Sequence, residues 1–299
     1  MALGLSEVNQ LFVSARSGNR RSLAKLLTAL ESGQTPEIQQ QRGWTLGVTG
    51  PPGVGKSTLI GRMIEYWVSR GETVAVLAVD PTSPMSGGAI LADRFRMGAT
   101  DSTASVFVRS LATRNHPGGL MPYLGKMTGV LSACGWTRVI IETVGSGQSE
   151  VRVVAFADRV LLIDGPDRGD IVQAEKAGIL ELADVIAINK ADLPNAQSAA
   201  DAVRQALDMG EGPGAQVHLV SAIEGTGISE LISDLESCEP EPSRNMLRNR
   251  ERLIASWDAA LLSHPQIKFY LEKIGDGSLT VNEAIEDIGC SLKADGEKP

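Results

Sequence analysis

The chain has 299 residues, 42% hydrophobic and 21% charged, which is the composition of a globular protein long enough for one large α/β unit with extensions. Its net charge of −8 gives no broad basic field for nucleic acid or an anionic membrane surface, and no uncharged apolar run approaches the length of a membrane span. Cys134, Cys238 and Cys290 are too scattered for a disulfide framework, and His116, His218 and His264 make no metal pair with them. Each cysteine reads as a small buried or partly buried hydrophobe. The first residues show no basic region followed by an apolar core, so the expected location is cytoplasmic.

In chain order, Val8, Leu11, Phe12 and Ala15 recur at helical spacing. Gly18-Asn19 interrupts the pattern, and Leu23, Leu26, Leu27 and Leu30 resume it as far as Gly33. This predicts an αα-hairpin-like extension over residues 1–43 whose apolar stripes pack on the main body. Thr45 to Val48 then read as a buried strand, Gly50 to Ser57 as a glycine-rich loop, and Lys56 to Val68 as a helix. Further apolar runs follow at Thr73 to Val79, Val106 to Val108, Val139 to Ile141, Val160 to Ile163, Val185 to Ile188 and Val217 to Val220, with a helix predicted over Gly118 to Ala133. Such alternation predicts a mostly parallel sheet covered on both faces, an α/β unit over residues 44–238. Past Pro240 and Pro242 the character changes. Leu247, Ile254, Trp257 and Leu261 mark an amphipathic helix, Phe269, Leu271 and Ile274 follow Pro265, and Thr280 to Glu283 spells a capping box before Ala284, Ile285 and Ile288. Residues 239–299 are therefore expected to form a helical arm whose last eight or so residues fray.

The chemistry concentrates at strand ends, where parallel sheets bind ligands. Gly50, Pro51, Pro52, Gly53, Val54, Gly55, Lys56 and Ser57, followed by Thr58, match G-x-x-x-x-G-K-[ST] between a strand and a helix. The glycines let backbone N–H groups turn in on a polyphosphate, and the helix N-terminus adds partial positive charge. Lys56 reaches the β- and γ-phosphates in such a loop, and the Ser57 hydroxyl holds Mg²⁺. Asn189-Lys190-Ala191-Asp192 directly follows a strand. Asp192 can accept from guanine N1–H and its exocyclic amine, a pattern adenine reverses. Lys190 can lie along the base, and Asn189 can tie this loop to the phosphate loop. Ser221-Ala222, after the last strand, stands where GTPases complete the guanine pocket with a backbone N–H. Glu142-Thr143-Val144-Gly145 ends another strand, the place of a Walker B carboxylate and a γ-phosphate-sensing glycine, Gly145. Asp80 and Asp93 are further candidates for Mg²⁺, which keeps waters and uses one or two carboxylates.

From the N-terminal helices to about Ser237 the chain resembles the MeaB/MMAA (ArgK) family of GTPases, chaperones of adenosylcobalamin-dependent acyl-CoA mutases. The segments that carry the likeness are Gly50 to Ser57, Val79 to Pro81, Gly87-Gly88-Ala89-Ile90-Leu91, Glu142 to Glu150 and Asn189 to Asp192. Lys176-Ala177-Gly178-Ile179 before Glu181-Leu182-Ala183-Asp184 is a further specific mark. The resemblance implies a SIMIBI-type P-loop NTPase core with N- and C-terminal helical extensions and a GTP/GDP cycle on Mg²⁺. It makes Asp80, Asp93 and Glu142 the magnesium and switch carboxylates. It likewise implies that Asp170 and Lys176 belong to a third switch loop that reports nucleotide state to the mutase, and that the C-terminal helices form a homodimer. The chain departs from the family pattern at Ser146, at Ala92, Arg94 and Phe95, and at Ile171. Ser146, rather than a water-positioning Gln, follows Gly145, so intrinsic turnover is expected to be slow and accelerated by the partner. Three other readings compete. A metallochaperone GTPase for nickel or zinc lacks His-rich or Cys-x-x-Cys segments, a small-molecule kinase leaves Asn189 to Asp192 unexplained, and a non-hydrolysing scaffold leaves Ser57 and Glu142 without a task.

Overall fold

The computed structural model describes residues 3–37, 43–80, 104–112, 123–143, 154–166, 179–209, 214–239, 241–262 and 264–296. Among them the strands are β1 (Trp44–Thr49), β2 (Val74–Asp80), β3 (Val106–Ala112), β4 (Arg138–Thr143), β5 (Arg159–Asp164), β6 (Val185–Ile188) and β7 (Gln216–Leu219). They form one sheet in the order β3-β2-β4-β1-β5-β6-β7. Every pairing is parallel, so the expectation of a mostly parallel sheet becomes an all-parallel one. The helices are α1 (Leu5–Arg16), α2 (Arg20–Glu31), α3 (Lys56–Ser69), α4 (Leu124–Ala133), α5 (Ala196–Asp208), α6 (Ile228–Ser237), α7 (Pro242–Leu262), α8 (Ile267–Gly275) and α9 (Val281–Gly296).

Successive side chains of a strand point to opposite faces, and the two faces hold separate cores. Leu46, Val48, Val76, Ile140 and Leu161 pack with Leu59, Met63 and Trp67 of α3 and with Leu231 and Leu235 of α6. Ala75, Leu77, Val139 and Ile141 face the other way, against Leu23, Leu27 and Leu30 of α2 and Met127 and Leu131 of α4. The N-terminal helical pair is thus part of the core on that face. It also explains why β3 outruns its expected end at Val108 and pairs with β2 as far as Ala112. Arg109 lies just past that expected end, and its guanidinium donates to Glu31 Oε1 (3.1 Å) and to the Ala24 carbonyl (3.0 Å), both on α2. The predicted helix over Gly118 to Ala133 is described from Leu124 onward, residues 113–122 lying outside the described residues.

The first C-terminal helix, α7, attaches at the amino ends of β5 and β6, opposite the glycine-rich loop. Arg248 of α7 is buried, donating to the carbonyls of Asp158 (2.6 Å) and Leu182 (2.9 Å) and pairing with the buried Asp184 carboxylate. One turn on, Arg252 donates to the Ala157 carbonyl at 2.9 Å. Tyr270, Ala284 and Ile288 make a small separate core with Leu261 and Ile274. The capping box is formed: the Thr280 N–H and hydroxyl both donate to Glu283 Oε2, at 2.8 and 2.7 Å, and hold its carboxyl below the usual range. Two expectations are corrected. The helix runs to Gly296, so residues 292–296 are helical where fraying was expected, Leu292, Lys293 and Ala294 being good helix formers; residues 297–299 lie outside the described residues. Cys290 is exposed rather than buried, while Cys134 is half-buried and desolvation pushes its thiol up to about 11. No helix among the described residues is long and apolar enough to cross a membrane.

Candidate functional site

The carboxyl ends of β1, β4, β5, β6 and β7 converge beside α3. The loop leaving β1 is shaped by backbone geometry that only glycine tolerates. Gly50 has φ 145°, and a Cβ there would stand 1.9 Å from the Ile163 carbonyl oxygen. Gly55 has φ 89°, and a Cβ there would stand 2.5 Å from Asn189 Nδ2. The loop is therefore wedged between β5 and the β6 loop, and it delivers its last residues into the first turn of α3. Thr58, in that turn, is exposed. Lys56 is buried, and its Nζ lies over the loop, donating to the carbonyls of Gly50 (2.6 Å) and Pro51 (2.9 Å). Those acceptors are neutral. A phosphate oxygen competes for the same protons with a stronger, charge-assisted bond.

Ser57 and Glu142 come together as well. The β1–β4 register sets Glu142 beside Val48, and the β2–β4 register sets it beside Ala78, so it closes the central strands at their carboxyl ends. Glu142 is 5% exposed, and Ser57 Oγ donates to its Oε1 at 3.1 Å. A hydroxyl and a carboxylate at this separation are hard oxygen ligands of the kind Mg²⁺ selects, and they fit that ion directly or through water. Asp80 ends β2 and pairs there with Ala112. Asp93, Gly145, Asp170 and Lys176 lie outside the described residues.

The two loops that follow β6 and β7 are knitted to the glycine-rich loop. Asn189 is 2% exposed, and its side-chain amide donates to the Val54 carbonyl (2.8 Å) while its Oδ1 accepts from the Ala222 N–H (3.0 Å). Its own N–H donates to the Asp164 carbonyl at 2.8 Å. Lys190 sits at φ 61°, a left-handed conformation that an L-residue enters at a cost of about 1 kcal/mol or more. That turn presents Asp192, which is exposed and accepts from Ser221 Oγ at 2.6 Å. Of the Ser221-Ala222 pair expected to offer a backbone N–H to the base, the Ser221 N–H donates to the Thr226 carbonyl and the Ala222 N–H to Asn189. Sequence reasoning missed two participants. Asp164 is buried at the end of β5, accepting the Gly165 N–H at 2.9 Å; its position after an apolar strand was the available signal. Arg62 of α3 donates to the carbonyls of Ala222 and Ile223, both at 2.9 Å. Arg62 also pairs with Glu65, one turn on.

An all-parallel sheet whose central strand feeds such a loop into a helix, with an Asn-Lys-Ala-Asp loop beside it, defines a P-loop GTPase. Within that class the chain belongs to the MeaB family: the family described as "Methylmalonyl Co-A mutase-associated GTPase MeaB" matches residues 11–258. A putative GTPase of Pyrococcus abyssi is 40% identical over 210 residues, covering 68% of this chain and 65% of that one, a little under two thirds of its length. GTPase ArgK of Escherichia coli is 35% identical over 238 residues, covering 72% of this chain and 71% of its own. The mitochondrial methylmalonic aciduria type A homolog of Caenorhabditis elegans is 34% identical over 208 residues, 62% of this chain and 52% of that one. Among solved structures, a LAO/AO transport system kinase superposes with a TM-score of 0.61 at 21% identity, covering 98% of this chain and all of that one, a likeness of fold.

Proposed function

We propose that the chain hydrolyses GTP to GDP and phosphate on Mg²⁺ and uses that cycle as a chaperone that gates cofactor loading or protection of a cobalamin-dependent acyl-CoA mutase. The observation that carries the nucleotide part is the Asn189 side chain, which joins Val54 of the phosphate loop to Ala222 of the base loop in a single buried link. Phosphate and base are thereby read by one connected surface. Water would attack the γ-phosphorus in line, with Lys56 and the ion held by Ser57 and Glu142 offsetting the charge that develops on the transferring group. Asp80, Asp93 and Gly145 are assigned to the same magnesium and γ-phosphate apparatus, and Asp170 and Lys176 to coupling with the mutase.

Membership of a family named for its association with methylmalonyl-CoA mutase supports the partner. For the homodimer, support comes from α7, where Met246, Leu253 and Trp257 are 73%, 71% and 47% exposed at a spacing that lines up one helix face. The test is GTP turnover with and without a cobalamin-dependent acyl-CoA mutase. Lys176→Ala and Asp170→Ala are expected to keep basal hydrolysis within a few-fold of wild type and to cut stimulated hydrolysis at least roughly tenfold, about 1.4 kcal/mol. Equal losses with and without mutase would place both residues in the basal site instead.

A further inference from the structure

The hydrogen bonds around the base loop close into a ring. From Val54 the path runs through the Asn189 amide to the Ala222 N–H, then from the Ala222 carbonyl to Arg62 Nε, and back along α3 to the phosphate loop. Arg62 grips two successive carbonyls of that loop, Ala222 through Nε and Ile223 through Nη2, each at 2.9 Å. This is the planar fork that arginine offers and lysine does not. The residue immediately before the gripped pair is Ser221, whose hydroxyl donates to Asp192 Oδ1 at 2.6 Å. Ser221 has its own local restraints: its N–H donates to the Thr226 carbonyl at 3.1 Å, and its carbonyl accepts from Gly225 at 2.8 Å. These fold the loop on itself. They do not fix it relative to α3.

We propose that Arg62 is a specificity-determining positioning residue. Its fork on Ala222 and Ile223 sets where Ser221 holds Asp192, and so decides how strongly the site prefers guanine to a purine without the exocyclic amine. The inference rests on the guanine-nucleotide reading given above and adds a determinant outside the motifs. Discrimination of this kind depends on placement, because a carboxylate rejects an analogue lacking the amine only if its oxygens are held where the amine would be. Arg62 acts through the loop rather than on base or phosphate, and its side chain is 42% exposed, so its replacement leaves the cores intact.

The experiment measures dissociation constants of GDP, IDP and ADP, by calorimetry on the full chain, for wild type, Arg62→Ala, Arg62→Lys and Glu65→Gln. In Arg62→Ala the ratio of IDP to GDP dissociation constants is expected to fall at least about threefold. Arg62→Lys, able to reach only part of the fork, should lie between. Glu65→Gln removes the neighbouring ion pair but leaves both carbonyl contacts, and should keep the wild-type ratio. A merely structural arginine would weaken GDP and IDP by the same factor, and an unchanged ratio in Arg62→Ala overturns the proposal while leaving the nucleotide reading standing. A wild type that binds ADP as well as GDP overturns both.

Discussion

Replacing Asn189 by alanine removes a side chain that hydrogen-bonds to both the phosphate loop and the base loop, and the structure sets the size of the effect. The side chain is 2% exposed, and both of its partners are main-chain groups of buried residues. The Val54 carbonyl loses its donor at 2.8 Å, and the Ala222 N–H loses its acceptor at 3.0 Å. Each orphaned buried group costs about 1–3 kcal/mol, so the nucleotide-free protein should lose about 2–6 kcal/mol of unfolding free energy. That range is a large share of the marginal stability of an ordinary domain, so urea denaturation without nucleotide reads it cleanly. GDP affinity should fall with it, because the two loops no longer meet in one arrangement, and each 1.4 kcal/mol appears as about a tenfold change in Kd. Asn189→Asp separates the two halves of the link: the carboxylate still accepts from Ala222 but meets the Val54 carbonyl with no proton to offer. It should therefore be at least as damaging as alanine. A loss below about 0.5 kcal/mol with unchanged GDP affinity would show that the loops are held without Asn189 and would refute the reasoning.

Further outcomes follow from the same geometry. Asp192→Asn should weaken GTP and favour xanthosine triphosphate, because the amide donates to the oxygen that replaces the guanine amine; competition titrations with GTP, ATP and XTP read this, and a retained GTP preference counts against Asp192. Glu142→Gln, which keeps the shape beside Ser57 but removes the charge, should lower Mg²⁺-dependent turnover more than nucleotide affinity. An unchanged kcat in magnesium would take Glu142 out of the site. Arg248→Ala leaves the Asp184 carboxylate buried without its closest cation and should cost about 3–5 kcal/mol, read as a lower urea midpoint. A loss under about 1 kcal/mol would mean that Arg244, 3.7 Å from the same carboxylate, takes over.

What sequence could show was set by range. The phosphate loop, the strand preceding it and the Asn189 to Asp192 turn are local patterns, and their residues are neighbours in the chain as well as in space. The apolar strands were visible for the same reason. Arg62 meets Ala222 across 160 positions and Arg248 meets Asp184 across 64, and in both cases an arginine on a helix gave no local sign that its partner lay on a distant loop. β3 runs past the Val106 to Val108 expected from its apolar residues, and Arg109 within it is satisfied by Glu31 on a helix far upstream. Asp164 was not singled out as a site residue because a single acid after an apolar run is common; in the structure it accepts the Gly165 N–H. The tail was expected to fray because it is a terminus, but the helix begun at Val281 runs on to Gly296.

The most direct measurement of the central claim is phosphate release from GTP and from ATP by the wild-type chain in magnesium, beside Lys56→Ala. The geometry of Lys56 over the loop, Ser57 against Glu142 and Asp192 beyond Asn189 predicts hydrolysis of GTP in clear preference to ATP. It further predicts that Lys56→Ala, still folded by circular dichroism, loses about 2–4 kcal/mol of transition-state stabilisation. Equal turnover of ATP, or full GTP turnover by the Lys56 variant, would contradict it.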